Sequence, residues 1–115
     1  MANARLYRFW ADLTEALKTG MPQNEIKDSG EPMFAKLYQV PERLEQFMNA
    51  MSGISAANFR SFAERFDFSR YRTLCDVGGA TGQLACMAAA ANAHMSCTSF
   101  DLPNVVPIAT RKIAQ

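Results

Sequence analysis

The spacing of apolar positions reads as helix up to about Phe66, and the texture changes at Tyr71. From Arg5 to Lys18, Leu6, Phe9, Trp10, Leu13 and Leu17 recur at i, i+3, i+4 and i+7, so they form one stripe of an amphipathic helix. Gly20 and Pro22 end it, the glycine in a C-terminal capping position and the proline just beyond. The polar stretch Gln23–Gly30 reads as a loop. Pro32 opens a short helix with Met33, Phe34, Leu37 and Tyr38 on one side, and Pro41 opens a longer one reaching about Phe66. The longer stripe is Leu44, Phe47, Met48, Met51, Phe59, Phe62 and Phe66, with Gly53 as a soft point near its middle.

Beyond Tyr71 the pattern predicts a strand over Thr73–Val77, running straight into Gly78-Gly79-Ala80-Thr81-Gly82. An alanine-rich helix follows over Thr81–Ala91, with Leu84, Met87, Ala88 and Ala91 facing inward. Ser96–Phe100 is a second strand, followed at once by Asp101-Leu102-Pro103. Asn104–Ala114 is a final helix whose first turn is limited by Pro107. Strand, glycine loop, helix, strand, acidic turn and helix make one βαβ unit with its following helix, the opening of a parallel α/β sheet. Parallel sheets are ordinarily covered on both faces and hold about five or more strands, and this sequence offers only two. The expectation is a helical segment over residues 1–40, then the start of an α/β domain over residues 41–115 that is completed by further chain or by association.

Bulk properties remove several function classes. The formal net charge is +1 and the basic residues are scattered, so the footprint of a nucleic-acid binder is missing. No apolar run approaches the ~20 residues of a membrane span, and no signal peptide is expected at the N-terminus. Cys75, Cys86 and Cys97 lack the close pairing of a metal knuckle or a disulfide framework. They read as small buried hydrophobes in a reducing, cytoplasmic compartment. No metal site is expected.

The chemistry concentrates in Asp76-x-Gly78-x-Ala80-x-Gly82 after the first strand and Asp101 at the tip of the second. Glycines let the backbone turn tightly and let a ligand approach without a Cβ in the way. The helix starting near Thr81 points free N–H groups and its positive dipole end at the same place. A carboxylate ending the second strand can accept hydrogen bonds from the two hydroxyls of a ribose. Helix capping is the alternative role for Asp101. Dinucleotide sites use G-x-G-x-x-G without an acid close to the pyrophosphate. This loop lacks the third glycine and has Asp76 beside it, which would repel a pyrophosphate and suits the cationic groups of S-adenosylmethionine. A nicotinamide-dependent oxidoreductase fragment is therefore disfavoured, and the alternative to an enzyme is a non-catalytic nucleoside-binding or interaction module.

Leu74-Cys75-Asp76-Val77-Gly78-Gly79-Ala80-Thr81-Gly82, followed by Phe100-Asp101-Leu102-Pro103-Asn104-Val105, resembles the S-adenosylmethionine-dependent O-methyltransferases of the plant caffeate and hydroxyindole type, which have many bacterial members. Phe47-x-x-x-Met51-Ser52-x-x-Ser55 and Phe66-Asp67-Phe68-Ser69-x-Tyr71 agree with that family upstream. The resemblance implies a Rossmann-like methyltransferase sheet, present here only as its first βαβα unit and so incomplete, after a helical tail of the family's dimerisation region. It implies S-adenosylmethionine as cofactor, a small aromatic hydroxyl acceptor and a homodimer. Within the cofactor site it places the loop glycines Gly78, Gly79 and Gly82, with Gly78 contacting the methionine part. Asp76 would orient the amino group, Asp101 bind the ribose, Leu102 flank the adenine and Ser55 reach the cofactor's carboxylate. Phe47 and Met51 would line the acceptor pocket, although core packing explains them equally well. Ala80 departs from the glycine common in the family; a positive φ there would cost alanine about 1 kcal/mol. The family's histidine base belongs to a later segment. His94 falls between the first helix of the unit and the second strand, on the wrong side of the sheet for that role, so the chain is expected to be inactive or very weak alone.

Overall fold

The computed structural model of the chain describes residues 7–24, 27, 30 and 33–115. Arg5, Leu6 and Pro32, assigned to helices above, lie outside them, as do Glu25, Ile26, Asp28 and Ser29 of the expected loop. The chain divides into two compact units, Met1–Leu44 and Glu45–Gln115.

In the first unit, residues 7–10 are helical, residues 11–12 form a turn, and helix α1 follows as Leu13–Thr19. The single helix expected up to Lys18 is thus interrupted. Ala11 and Asp12 tighten into i→i−3 hydrogen bonds of 3.3 and 3.2 Å, and Asp12 becomes the N-cap residue of α1. Aspartate disfavours helix interiors because its carboxylate competes for other donors; here it meets Lys27 Nζ at 3.2 Å, which Glu15 holds at 2.8 Å. Gly20 ends α1 in the left-handed conformation and donates its N–H to the Ala16 carbonyl at 2.8 Å. The expected apolar stripe is not buried: Trp10 is 67% and Leu17 78% exposed. The spacing set their common face, but burial needs a surface packed against it, and no residue of α1 is buried. Helix α2 spans Met33–Gln39, and α3 starts at Pro41, where a missing N–H costs nothing, and runs to Arg65. Gly53 does not break α3, consistent with a cost of only about 1 kcal/mol for one helical glycine.

The second unit holds strands β1 (Thr73–Val77) and β2 (Ser96–Phe100), paired in parallel from Thr73 opposite Ser96 to Val77 opposite Phe100. Helix α4, Gln83–Ala91, packs against both strands, and α5, Val106–Ile113, follows β2. Ala85 and Ala88 are the buried face of α4, while Leu84 and Met87 are half-buried and Ala91 is exposed. The inward face is therefore turned from the expected one, because in an alanine-rich helix small residues allow the closest approach to the sheet. Phe68, in the segment that links α3 to β1, is buried, edge-on to the Phe62 ring at 5.5 Å and 4.7 Å from that of Phe66.

Alternation along the strands half-buries Leu74, Asp76, Cys97 and Ser99, whereas Cys75, Val77, Thr98 and Phe100 are exposed. This corrects the reading of the cysteines as buried: Cys75 and Cys86 are exposed and Cys97 is half-buried. Cys75 belongs to the bare face of the sheet, and Cys86 lies next to, not on, the buried Ala85–Ala88 face of α4. Among the described residues no helix is long and apolar enough to cross a membrane.

Candidate functional site

The loop between β1 and α4 is built from three left-handed residues, Gly78 (φ +79°), Ala80 (φ +47°) and Gly82 (φ +75°). The Phe100 carbonyl at the end of β2 accepts the N–H of Gly78 at 2.8 Å and that of Gly79 at 3.3 Å. The loop thereby folds back over the carboxyl edge of both strands. Each glycine has a separate reason. Gly78 has open space where a Cβ would stand, so φ alone requires glycine there. At Gly79 a Cβ would run into Ser99 Oγ and come within 3.0 Å of Asp76 Oδ2. At Gly82 it would meet Ile113 Cδ1 and Cγ1 at 2.7 and 2.9 Å, which makes this glycine a packing contact with α5. Ala80 does take the positive φ whose cost was anticipated.

Two acids sit at this edge. Asp76, opposite Ser99 in the sheet register, is half-buried beneath Gly79. Burial first, and the nearby Asp101 charge second, push its carboxyl above the usual 3.8. Asp101 is clasped at both oxygens: Oδ2 accepts the Ala80 N–H at 2.8 Å and Oδ1 accepts the Leu102 N–H at 2.7 Å. It does not cap a helix, since α5 begins at Val106 with Val105 as its N-cap residue. Leu102 is 52% exposed beside it. The first N–H groups of α4 have no partners within the helix by its geometry, so its positive end adds to the same edge.

Helix α3 reaches this loop through a pair of hydroxyls. Ser52 Oγ and Thr81 Oγ1 lie 2.7 Å apart, and Thr81 is buried. Met51 and Ser55 flank Ser52, and Phe47, Met51 and Ser55 recur every four residues along one side of α3. Phe47 and Ser55 are half-buried and Met51 is 38% exposed. His94 lies elsewhere, in the turn before β2, where its Nε2 meets the carbonyl of Phe68 at 3.2 Å, away from the loop edge. Among the described residues no three His, Cys, Asp or Glu side chains gather as a metal site.

The Ser52–Thr81 contact, the Gly82–Ile113 contact and the Asp101–Ala80 hydrogen bond are not legible in the sequence. Ser52 was visible only as part of the Met51-Ser52-x-x-Ser55 run, and nothing in its spacing names Thr81 as partner.

The sequence profile of a family described as "O-methyltransferase domain" matches residues 10–115. The chain is 36% identical over 109 residues to the N,N-dimethyltransferase OxyT of Streptomyces rimosus, a match covering 95% of this chain and 32% of that protein. It is also 36% identical to the tetracenomycin polyketide synthesis 8-O-methyl transferase TcmO of Streptomyces glaucescens, covering 93% of this chain and 30% of that one. Among solved structures, human N-acetylserotonin methyltransferase in complex with SAM matches with a TM-score of 0.74 at 32% identity, over 91% of this chain and 31% of that one. The chain spans about a third of the length of these relatives.

Proposed function

We propose that this chain, which belongs to the O-methyltransferase domain family, is the cofactor-binding corner of an enzyme that transfers a methyl group to a hydroxyl oxygen of a small aromatic molecule. The cofactor of this family is S-adenosylmethionine. One observation carries the assignment: two carboxylates, Asp76 and Asp101, stand at the carboxyl ends of two parallel strands around a left-handed glycine loop. That is where open α/β sheets take ligands.

The residues present fit the cofactor. Asp76 is an acid whose charged form is disfavoured by burial and by Asp101, so a bound ammonium group relieves it. Gly78 spends its N–H on Phe100, which leaves its carbonyl as the group to offer the same ammonium. A carboxylate has about four acceptor sites, so Asp101 can receive ribose hydroxyls while keeping both backbone partners. Leu102 would give the adenine an apolar neighbour, Ser55 would reach the cofactor carboxylate, and Gly79 and Gly82 set the loop's shape. Phe47 and Met51 line the acceptor side of α3.

The cofactor supplies an electrophilic methyl group on a cationic sulfur, with a neutral thioether as leaving group. The protein's share is positioning, which can be worth about 7–11 kcal/mol, and a base for the acceptor hydroxyl. No residue of this chain is assigned as that base, so we expect it to be inactive or very weak by itself. In the same reading, residues 1–40 are the tail of a dimerisation region and residues 41–115 begin a Rossmann-like domain. The whole protein is a cytoplasmic homodimer. The 36% identity to an N,N-dimethyltransferase, equal to that with TcmO, supports an amine nitrogen as a second reading of the acceptor.

Calorimetric titration of the chain with S-adenosylhomocysteine, beside NAD, tests the cofactor site. Saturable binding of the first and no heat from the second is the expected result. Preference for NAD, or failure of S-adenosylhomocysteine to bind both this chain and a longer one, overturns the reading. Product analysis with paired phenol and amine acceptors on the longer chain decides the acceptor atom. An ordinary enzymatic rate from the 115 residues alone would refute the expected inactivity.

A further inference from the structure

Ala80 is the one non-glycine residue with a positive φ among the described residues, at +47°. A Cβ makes that conformation unfavourable, so a contact outside the residue must hold it. Gly78 and Gly79 are tied to the Phe100 carbonyl one residue short of Ala80, and the Gly82 N–H closes a turn over Ala80 and Thr81 on the Gly79 carbonyl at 2.8 Å, which leaves the Ala80 N–H itself to be held. The Ala80 N–H donates instead to Asp101 Oδ2 at 2.8 Å, in a partly buried setting. The same carboxylate is oriented from its other side, where Oδ1 accepts the Leu102 N–H at 2.7 Å. A charge-assisted hydrogen bond of this length is among the stronger kinds, strong enough to outweigh one left-handed alanine.

We infer that Asp101 is a positioning residue for the glycine loop, holding Ala80 left-handed, in addition to the nucleoside contact proposed above. The affinity arm of the test below rests on that earlier reading; the spectroscopic arm does not. The loop is then preformed by the side chain that receives the ribose, so cofactor binding does not have to bend Ala80 into shape. Removing the carboxylate has two effects: a lost ligand contact and a loop that must be re-formed at each binding event. Only the second can be repaired at position 80, because glycine adopts a positive φ freely.

The experiment compares the full chain as it stands with Asp101→Ala, Ala80→Gly and the double variant. In the spectroscopic arm, nuclear magnetic resonance follows the backbone shifts and amide coupling of Ala80 without ligand. The left-handed signature is expected in the parent chain and lost in Asp101→Ala. If Ala80 keeps it without Asp101, the inference is overturned, whatever the chain binds. In the affinity arm, calorimetry gives the Kd for S-adenosylhomocysteine. Ala80→Gly is expected to recover about tenfold of affinity in the Asp101→Ala background, the equilibrium equivalent of one left-handed alanine. With Asp101 present its effect should be far smaller. An equal effect in both backgrounds means that Asp101 touches the nucleoside only, and overturns the inference. Absence of binding by the parent chain and a longer one sinks the cofactor reading, and the spectroscopic arm still decides the role of Asp101. Should Asp101→Ala fail to fold, Asp101→Leu keeps the branched shape but offers no acceptor, and is expected to lose the same signature; its retention overturns the inference.

Discussion

The Ser52–Thr81 hydroxyl pair joins α3 to the glycine loop, and the two partners differ in burial in a way that predicts unequal mutants. Thr81 is 7% exposed, while Ser52 is half-buried. Ser52→Ala removes the partner and leaves the Thr81 hydroxyl shielded from water, at the cost of a buried unsatisfied group, about 1–3 kcal/mol. Thr81→Val keeps the shape and leaves Ser52 able to reach water, so only the net hydrogen bond is lost, about 0.5–1.5 kcal/mol. In the valine background Ser52→Ala has nothing left to break and should cost under about 0.5 kcal/mol. For a chain of 115 residues, 1 kcal/mol moves the thermal midpoint by about 4 °C. Ser52→Ala should therefore lower Tm by about 4–12 °C, and Thr81→Val by at most about 6 °C. Far-ultraviolet circular dichroism of the four chains on heating measures this directly. Equal costs of Ser52→Ala in both backgrounds would show that the hydroxyls do not interact. A costlier Thr81→Val would show that the burial asymmetry does not govern the pair.

Two further outcomes follow from the loop. Gly82→Ala places a Cβ 2.7 Å from Ile113 Cδ1 at a residue with φ +75°; backbone strain and overlap together should cost about 2–4 kcal/mol in denaturant unfolding. Adding Ile113→Ala should restore the overlap part and leave the backbone part, and a full rescue would show that φ is not constrained there. Asp76 has a raised carboxyl pKa, so the folded chain binds its proton more readily than the unfolded chain. Stability is therefore lowered above the raised folded value, and is recovered as pH falls through it towards the ordinary 3.8. Asp76→Asn should raise Tm at neutral pH, with a gain that fades in acid, and should weaken S-adenosylhomocysteine binding. A gain that grows on acidification would reverse the sign of this argument.

Much of the second unit was legible because its elements have sharp edges. The two strands are short alternating runs closed by a glycine loop and by an acidic turn, and Thr73–Val77 and Ser96–Phe100 form as expected. The stripe of α3 runs long enough to set its period, and proline marks its start. Periodicity does not say which face is covered. Trp10 and Leu17 share a stripe and are exposed, and Cys75 alternates correctly yet lies on the bare side of its strand. In α4 the larger Leu84 and Met87 suggest one inner face, but the small Ala85 and Ala88 come closest to the sheet, so Ala85 stands where Ala91 is expected. The loop's charged and glycine positions were readable from spacing. Their supports were not, because Ser52 with Thr81 and Gly82 with Ile113 are separated by 29 and 31 residues and meet only through folding.

The bare face of the sheet bears on how the chain behaves as a colloid. Val77 and Phe100 face each other across the strands at 75% and 62% exposure, so their apolar surface is presented as one stripe. A formal charge of +1 and an isoelectric point near 7.7 leave almost no electrostatic repulsion between molecules at neutral pH. Short-range attraction between stripes is then unopposed, and added salt has little charge to screen. The chain is expected to be least soluble close to its isoelectric point, and to disperse better at about pH 4–5, where carboxylates begin to protonate, than on dilution of salt.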